Sequence, residues 1–416
     1  MDMLSALERF AQGDAGGVRL DAERCVHAFD AFATCRACVD ECPAGALRLP
    51  EEGGAIALDT AACAACGACA RVCPVGALAA RDETSALLRC AARVKDQGGI
   101  ALLCAAHPPA DRGARAVDAA IVLEGCLAGL GPSAYASLVA LGFAQIDVYL
   151  DACAGCPLAL AQASVERTLE KARRALKPWI DDTQIVAITE APAAPGVPWM
   201  VYLAGEPPVP RRRLLNPFAT TGIDAALDAL SIEAVEQAGP KRIPPERLQL
   251  LHALALLPPA GPALCPAPLA GQVFLRIGAD GGCTACGACA RACPTGALAL
   301  EIDDDANTFR LAHLAAICTG CDACLHLCAP DALYSRGVPF FSALQAPADE
   351  PIAAGRFTRC KRCKARVVEG SLSAGGLCEV CAFRRANPFG SVVPERIRPL
   401  VERQRAPRVP PESPAE

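Results

Sequence analysis

The strongest constraint on this chain is a run of four closely spaced cysteines that recurs along it. Residues 283–293 have the spacing C-x-x-C-x-x-C-x-x-x-C, and a proline and a Gly-Ala-Leu segment follow the last cysteine. The same spacing recurs at residues 318–328 and 63–73, and residues 25–42 hold an incomplete copy. The chain has 26 cysteines in 416 residues, and its N-terminus lacks the continuous apolar core of a secretory signal. Cysteines grouped in this way are typical of metal ligands in a reducing compartment rather than of disulfides.

The spacing resembles that of bacterial two-cluster ferredoxins, in which paired runs bind two 4Fe-4S clusters. In that family the first three cysteines of a run bind one cluster and the fourth binds the cluster of the other run. The resemblance therefore implies two ferredoxin-like modules with four clusters in all. The implied ligands are Cys25, Cys35, Cys38 and Cys73 (cluster 1); Cys42, Cys63, Cys66 and Cys69 (cluster 2); Cys283, Cys286, Cys289 and Cys328 (cluster 3); and Cys293, Cys318, Cys321 and Cys324 (cluster 4).

Cys25 is the irregular member of this set. Phe32 occupies the position at which the first cysteine of the run belongs, and Cys25 lies seven residues earlier. A longer loop can return its thiolate to the open iron. The alternatives are His27 as the ligand, a three-iron cluster, or a buried thiol at Cys25.

Two further features bear on these runs. Zinc sites space their cysteine pairs further apart than these runs do, which favours clusters over zinc. The last run ends in "CAPDAL", so Asp331 takes the place of a glycine. Because Asp tolerates unusual backbone angles better than most residues, we expect a shifted turn there and an intact cluster.

The segment between the modules has a different pattern. The apolar runs "GGIALLC", "AAIVLEGC" and "AQIDVYLDAC" are separated by helix-compatible segments, which predicts a small parallel α/β sheet. Cys104, Cys126 and Cys153 end these runs, and Cys156 follows at the predicted start of a helix with Pro157 at its first position. Ligands bind beyond the carboxyl ends of such strands.

This four-cysteine group has several interpretations. It could hold a fifth iron-sulfur cluster or zinc, it could act as a dithiol at Cys153 and Cys156, or it could consist of inert thiols. The segment "GFAQIDVYLDACAGC" is distantly similar to the small iron-sulfur subunit associated with hydrogenases and heterodisulfide reductases, which assigns no role to these residues. Cys90, in a helical segment, is predicted to be a core residue, and Cys265 fits no group.

A second kind of cysteine group lies near the C-terminus. Fourteen residues separate two C-x-x-C pairs, which resemble a zinc ribbon with a structural metal; a rubredoxin-type iron would use the same ligands. The predicted zinc ligands are Cys360, Cys363, Cys378 and Cys381.

Residues 356–416 carry 13 Lys and Arg against 6 Asp and Glu, although the net charge of the whole chain is −5. Aromatic residues for base stacking are scarce in this region, with Phe383 and Phe389 the main candidates, so nucleic acid is not the expected partner. The basic residues fit better as a docking arm for an acidic protein surface. Arg211, Arg212 and Arg213 form a further basic group in a proline-rich connector.

Together these patterns predict an α+β multidomain fold, with two ferredoxin-like modules flanking a parallel α/β domain and a zinc ribbon after them. The predicted divisions are 1–85 (first module), 86–190 (α/β domain), 191–268 (proline-rich and helical connector), 269–345 (second module), 356–390 (zinc ribbon) and 391–416 (basic tail).

The sequence predicts electron transfer. It lacks the glycine-rich motifs of dinucleotide and phosphate binding, so no nucleotide cofactor is expected. Four or five one-electron clusters and one zinc predict a cytoplasmic electron-transfer subunit, with membrane contact only through a partner. The implied partners are subunits of hydrogenases, formate dehydrogenases, heterodisulfide-reductase-like enzymes or molybdenum enzymes. The alternatives are an iron-sulfur/zinc scaffold or redox-sensing regulator, and a thiol/disulfide reductase that uses the middle cysteines.

Overall fold

The computed structural model describes residues 17–50, 53–94, 98–107, 112–113, 117–190, 197–208, 241–266, 268–269 and 271–387. The basic tail, the Arg211–Arg213 group and part of the predicted 191–268 connector lie outside these residues. The helices are Val26–Phe29 (α1), Ala37–Glu41 (α2), Ala68–Val72 (α3), Glu83–Val94 (α4), Pro132–Ala140 (α5), Gln162–Leu176 (α6), Pro245–Leu256 (α7), Ala288–Ala292 (α8), Ala323–His326 (α9), Phe341–Gln345 (α10) and Glu379–Ala386 (α11).

The strands are shorter than the helices in most of the chain. They are Arg19–Leu20 (β1), Leu47–Arg48 (β2), Ala57–Leu58 (β3), Leu78–Ala79 (β4), Gly99–Leu103 (β5), Arg112–Gly113 (β6), Ala119–Val122 (β7), Gln145–Tyr149 (β8), Ile185–Ile188 (β9), Val197–Pro198 (β10), Met200–Leu203 (β11), Ile277–Ala279 (β12), Leu298–Asp303 (β13), Thr308–His313 (β14), Leu333–Ser335 (β15), Glu350–Arg359 (β16) and Arg366–Val368 (β17). None of the helices in these ranges is long and apolar enough to cross a membrane.

The middle of the chain forms a five-stranded parallel sheet in the order β11-β7-β5-β8-β9. This confirms the predicted parallel α/β sheet. The strands β5, β7 and β8 consist of the apolar runs seen in the sequence, and Ile100, Leu102, Ile121 and Val148 are completely buried. Cys90 on α4 and Cys265 both belong to the core that covers this sheet.

Two pieces of the predicted 191–268 connector belong structurally to this middle domain. The edge strand β11 pairs in parallel with β7, and helix α7 packs against α5. A sheet edge needs a pairing partner for its backbone groups, and β11 supplies one to β7.

Each ferredoxin-like region has short antiparallel strands around its cysteine loops. In the first, β1 pairs with β4 and β2 with β3. In the second, β12 pairs with β15, and β13 forms a longer hairpin with β14. Strand β16 pairs with β14 on one side and with β17 on the other, so the C-terminal cysteine region is continuous with the second module.

One sequence prediction about the middle domain is wrong. The helix expected to begin at Pro157 begins instead at Gln162, after two short 3-10 turns at Asp151–Gly155 and Ala159–Ala161. Cys156 has an extended backbone and ends the first turn, because its N–H bonds to the carbonyl oxygen of Cys153. Cys156 therefore does not lie at a helix N-terminus that would favour its thiolate.

Candidate iron-sulfur and metal sites

In the second module, two cavities each have four cysteines in their walls. One is lined by Cys283, Cys286, Cys289 and Cys328, together with apolar side chains such as Leu300. The other is lined by Cys293, Cys318, Cys321 and Cys324, together with Ile277 and Leu298. In both cavities the fourth cysteine comes from the other run. The structure thus brings together the two groups that the resemblance implies.

The fourth cysteine of a run is held by the turn that follows it. The N–H groups of Ala46, Ala77 and Ala332 lie 3.2–3.3 Å from the Sγ atoms of Cys42, Cys73 and Cys328, respectively. Such N–H···S hydrogen bonds favour a charged sulfur and raise the reduction potential of a cluster bound there. At Cys293 the neighbouring polar atom is Thr295 Oγ1 instead, at 3.7 Å.

The prediction of a shifted turn after Cys328 is wrong. Asp331 has a φ of 56°, in the left-handed region that Gly45 (φ 60°) and Gly76 (φ 63°) also occupy in the equivalent turns. Its N–H bonds to the carbonyl oxygen of Cys328 at 2.9 Å, as the glycine N–H groups do in their turns. The short Asp side chain tolerates this backbone conformation, so the turn keeps its shape.

In the first module, Cys25 lies in the core with Cys38, Cys69 and Cys73. Burial, together with the neighbouring charges of Cys73, Cys35 and Cys25, raises the pKa of Cys38 to about 12. The structure therefore places Cys25 beside the three cysteines with which the sequence groups it. His27 Nε2 lies 2.7 Å from the carbonyl oxygen of Cys35, so this ring nitrogen already has a partner.

The companion group in this module has the same character. Burial raises the pKa of Cys69 to about 12, and the neighbouring charges of Cys66, Cys42, Cys38 and Cys63 act in the same direction. The inclusion of Cys38 shows that the two groups of the first module adjoin each other. In the second module, burial and the other cysteines of its own group raise the pKa of Cys324. Cys289 of the other group raises it as well.

These groups fit iron-sulfur clusters. If all four cysteines around one buried cavity were bare thiolates, their charges would repel each other. Burial therefore favours the protonated thiols when no metal is bound. A metal centre reverses this balance because a coordinated thiol gives up its proton outright. When bound, a 4Fe-4S cluster would accept or donate one electron.

The middle cysteines meet at the carboxyl edge of the parallel sheet. Cys104 follows β5 directly, Cys126 lies four residues beyond β7, and Cys153 and Cys156 lie in the turn after β8. Burial raises the pKa of Cys126 to about 11, and its neighbours Cys104, Cys66 and Cys153 raise it as well. The cysteines that affect each other's pKa are therefore neighbours at this edge, and Cys66 of the first module neighbours Cys126.

Backbone contacts explain why Cys66 and the middle group are close. A Cβ atom on Gly67 would lie 3.2 Å from Gly129 Cα, and one on Gly129 would lie 3.4 Å from the Cys66 carbonyl oxygen. Arg71 Nε donates a hydrogen bond to the Gly129 carbonyl oxygen at 2.5 Å. The loop after Cys126 is therefore packed against the loop that carries Cys66.

The two modules also contact each other directly. His326 Nδ1 lies 2.7 Å from Asp30 Oδ2, and the rings of His326 and Phe32 pack edge to face at 6.0 Å. Beside this contact is a cavity of about 280 Å³, lined by Cys35 from the first module and Cys321 from the second. Cys321 also packs against the core of the first module.

The C-terminal cysteines form a more compact group than the others. The sulfur atoms of Cys360, Cys363, Cys378 and Cys381 all lie within 4.8 Å of one another, a spacing that suits a single metal ion. The backbone N–H groups of Cys378 and Cys363 lower the pKa of Cys360 to about 6. The group fits the predicted zinc, and equally a single iron.

Several residues near these sites were not identified from the sequence. His107 and Asp151 form a partly buried pair beside the middle cysteines, with His107 Nε2 3.0 Å from Asp151 Oδ1. Arg247 is buried beside the loop of Cys318, and Asp30 pairs with His326. No local spacing marks these residues, because each meets its partner through the folding of distant segments. The sequence gives one indication of the contact between Asp30 and His326, because Phe32 breaks the cysteine pattern nearby.

Comparison with known families matches two stretches of the chain, residues 33–77 and 282–332, to the 4Fe-4S dicluster domain. The second stretch includes all eight cysteines of its module, whereas the first begins after Cys25. A comparison with curated proteins finds no match. The two matched stretches contain the paired cysteine groups described above, and the chain therefore carries two 4Fe-4S dicluster domains of the ferredoxin type.

Proposed function

We propose that this chain is an electron-transfer protein, acting as a subunit that relays single electrons through four or five iron-sulfur sites. The cavity shared by Cys35 and Cys321 is the observation that carries this proposal. Through this cavity, cluster 1 of the first dicluster domain becomes the neighbour of cluster 4 of the second. Two independent ferredoxin units on one chain would have no need of such a junction.

The neighbouring groups suggest one order for the relay. The middle group adjoins Cys66, and within the first module Cys69 neighbours Cys38. Cys35 then faces Cys321 across the cavity. In the second module Cys324 neighbours Cys289, which shares a cavity wall with Cys286. The order is thus the middle site, cluster 2, cluster 1, cluster 4 and cluster 3.

The protein contributes the burial, orientation and insulation of these sites. Buried apolar side chains exclude water from the cavities, and turn N–H groups orient the sulfur atoms. Cys286 is exposed, which makes the outer face of cluster 3 the natural place for exchange with a redox partner. The middle group provides the opposite end of the series.

The partners we propose are other subunits of an oxidoreductase, of the hydrogenase, formate dehydrogenase, heterodisulfide-reductase-like or molybdenum classes. The ribbon supports docking on an acidic protein surface, because Arg359, Lys361, Arg362 and Lys364 are exposed together. Its four cysteines would hold zinc as a structural metal, stabilising a segment that has only a small core.

The alternative of thiol/disulfide chemistry at the middle group has less support. Burial, followed by the charge of Cys104, raises the pKa of Cys153 to about 11, so the bare thiol is a poor nucleophile at neutral pH. A metal or cluster at this group removes that difficulty. The scaffold alternative is also weaker, since a scaffold requires labile sites and most of these thiols are buried or half-buried.

The proposal is tested with anaerobically prepared full-length chain. In a relay, reducing one module should speed the electron-spin relaxation of the other module's signal, because paramagnetic centres in the two modules lie close together. The charge-reversed variant Asp30→Arg should weaken this effect at unchanged iron content, and Asp40→Arg, at an exposed position, should not. Identical relaxation whether or not the other module is reduced in the native chain would refute the relay.

A further inference from the structure

Arg247 on helix α7 is completely buried, which is unusual for an arginine. Its Nη1 donates a hydrogen bond to the Ala316 carbonyl oxygen at 3.1 Å, and its Nη2 donates to the Val273 carbonyl oxygen. The guanidinium carbon lies 3.9 Å from the centroid of the Phe274 ring, and Nε has no hydrogen-bond partner. A buried charge is costly unless an opposite charge offsets it.

No carboxylate in the described ranges forms an ion pair with Arg247. The adjacent Glu246 is engaged elsewhere, because its carboxylate oxygens accept hydrogen bonds from the N–H and hydroxyl groups of Ser133. The titratable group that interacts with Arg247 is Cys318, which is a neutral thiol while it is bare and would become the opposite charge as a cluster ligand. Arginine is not deprotonated in proteins near neutral pH, so the buried guanidinium keeps its charge.

Both hydrogen-bond acceptors connect Arg247 to the loop of cluster 4. Ala316 lies two residues before Cys318. The side chain of Val273 packs so closely against Gly320, between Cys318 and Cys321, that no room is left for a Cβ atom. The arginine thus spans the two segments that enclose one side of this loop, and its charge is fixed there in a water-poor environment.

The other cations near the ferredoxin-type cysteines are more exposed. Arg24 Nη2 donates to the Val75 carbonyl oxygen near Cys73, but its side chain is only half-buried. Lys241 and Arg291, near the loop of cluster 3, are exposed. Solvent and salt screen exposed charges much more than buried ones. Arg247, beside cluster 4, is therefore the least screened of these cations, and the opposing Asp322 in the wall of the same cavity is only half-buried.

We propose that Arg247 raises the reduction potential of cluster 4 above those of the three other ferredoxin-type sites. The inference rests on the proposed electron-transfer function. An added electron makes a cluster more negative, and the fixed guanidinium charge stabilises that reduced state. The first electron to enter the two modules would then settle beside the junction between them, at Cys293, Cys318, Cys321 and Cys324.

The test is an EPR-monitored redox titration of anaerobically prepared full-length chain, with iron content measured on every sample. In Arg247→Gln the ratio of reduced to oxidised centres in the highest-potential signal should fall at least tenfold at a given potential. This corresponds to a decrease of about 59 mV in the reduction potential. Arg247→Lys, which keeps the charge, should recover part of that loss. The matched control Arg24→Gln should change its own site by less, because Arg24 is partly screened.

An unchanged highest potential in iron-loaded Arg247→Gln would overturn the inference. If that variant fails to fold, the inference is tested by assigning the highest-potential signal to one cluster with cysteine variants that retain Arg247. Cys321→Ser should alter the highest-potential signal and Cys286→Ser should leave it, and the reverse pattern would equally overturn the inference. Absence of iron from native protein would instead remove the proposed function, so the two failures are distinguishable.

Discussion

Asp30 Oδ2 and His326 Nδ1 lie 2.7 Å apart, and this contact joins the two dicluster domains across 296 residues of sequence. The Asp30 side chain is 1% exposed, and its Oδ1 accepts a hydrogen bond from the N–H of Phe32. Phe32 stands where the first cysteine of the run belongs, and it packs against the same histidine. If Cys25 supplies the missing thiolate, as the sequence predicts, residues 30–32 are available for contact with the second module.

The first prediction concerns this junction. Asp30→Ala leaves the Phe32 N–H and the His326 ring without their acceptor, so the free energy of unfolding should fall by about 1–3 kcal/mol. Asp40→Ala removes an exposed pair with Arg36 and should cost at most about 0.5 kcal/mol. Urea denaturation under anaerobic conditions measures both. Equal effects of the two changes would show that the buried contact adds nothing.

The second prediction concerns the displaced ligand. Cys25→Ala should lower the iron content by about one to four atoms per chain, because one site of the first module loses its fourth thiolate. Cys90→Ala is the matched control, since Cys90 is also buried but belongs to the core of the middle domain. Iron analysis and EPR of the oxidised protein distinguish a three-iron product from complete loss. Full iron content in Cys25→Ala would instead favour another ligand, such as His27.

The third prediction concerns the middle group. If it holds a fifth cluster, Cys126→Ser should remove one EPR signal and leave those of both dicluster domains in place. The same variant should slow the relaxation of the signal from cluster 2, whose Cys66 neighbours Cys126. Cys265→Ser, in the same core but outside the group, should change neither. Unchanged metal content and spectra in Cys126→Ser would favour a dithiol or inert thiols.

The fourth prediction concerns the C-terminal group. Cys381→Ser should remove about one zinc per chain and leave iron unchanged, because its four sulfur atoms form a separate compact site. The ribbon should then become sensitive to proteolysis, since metal binding and folding are coupled in such small segments. Limited digestion followed by mass spectrometry locates the cleavage. Loss of iron without loss of zinc would point to a rubredoxin-type site.

Much of this architecture could be predicted from the sequence because the relevant signals are local. Cysteine spacing indicates each loop by itself, and the apolar runs before Cys104, Cys126 and Cys153 indicate buried parallel strands. Position-specific backbone geometry was less predictable. Asp331 keeps a turn that glycine usually provides, and Cys156 lies before its helix rather than at its start.

The remaining features depend on contacts between distant segments. Strand β11 comes from a proline-rich stretch, and only its pairing with β7 reveals it as part of the sheet. The buried position of Arg247 and the contact of Asp30 with His326 likewise have no local pattern. The proposed order of the sites depends on these long-range contacts, so it could not be derived from cysteine spacing alone.

The most direct test of the whole account is metal and sulfide analysis of anaerobically isolated full-length chain, combined with EPR of the reduced protein. We predict brown protein with about sixteen to twenty irons, matching sulfide and one zinc per chain, whose reduced spectrum shows interacting 4Fe-4S centres. Colourless protein with zinc in the ferredoxin-type pockets would contradict the account.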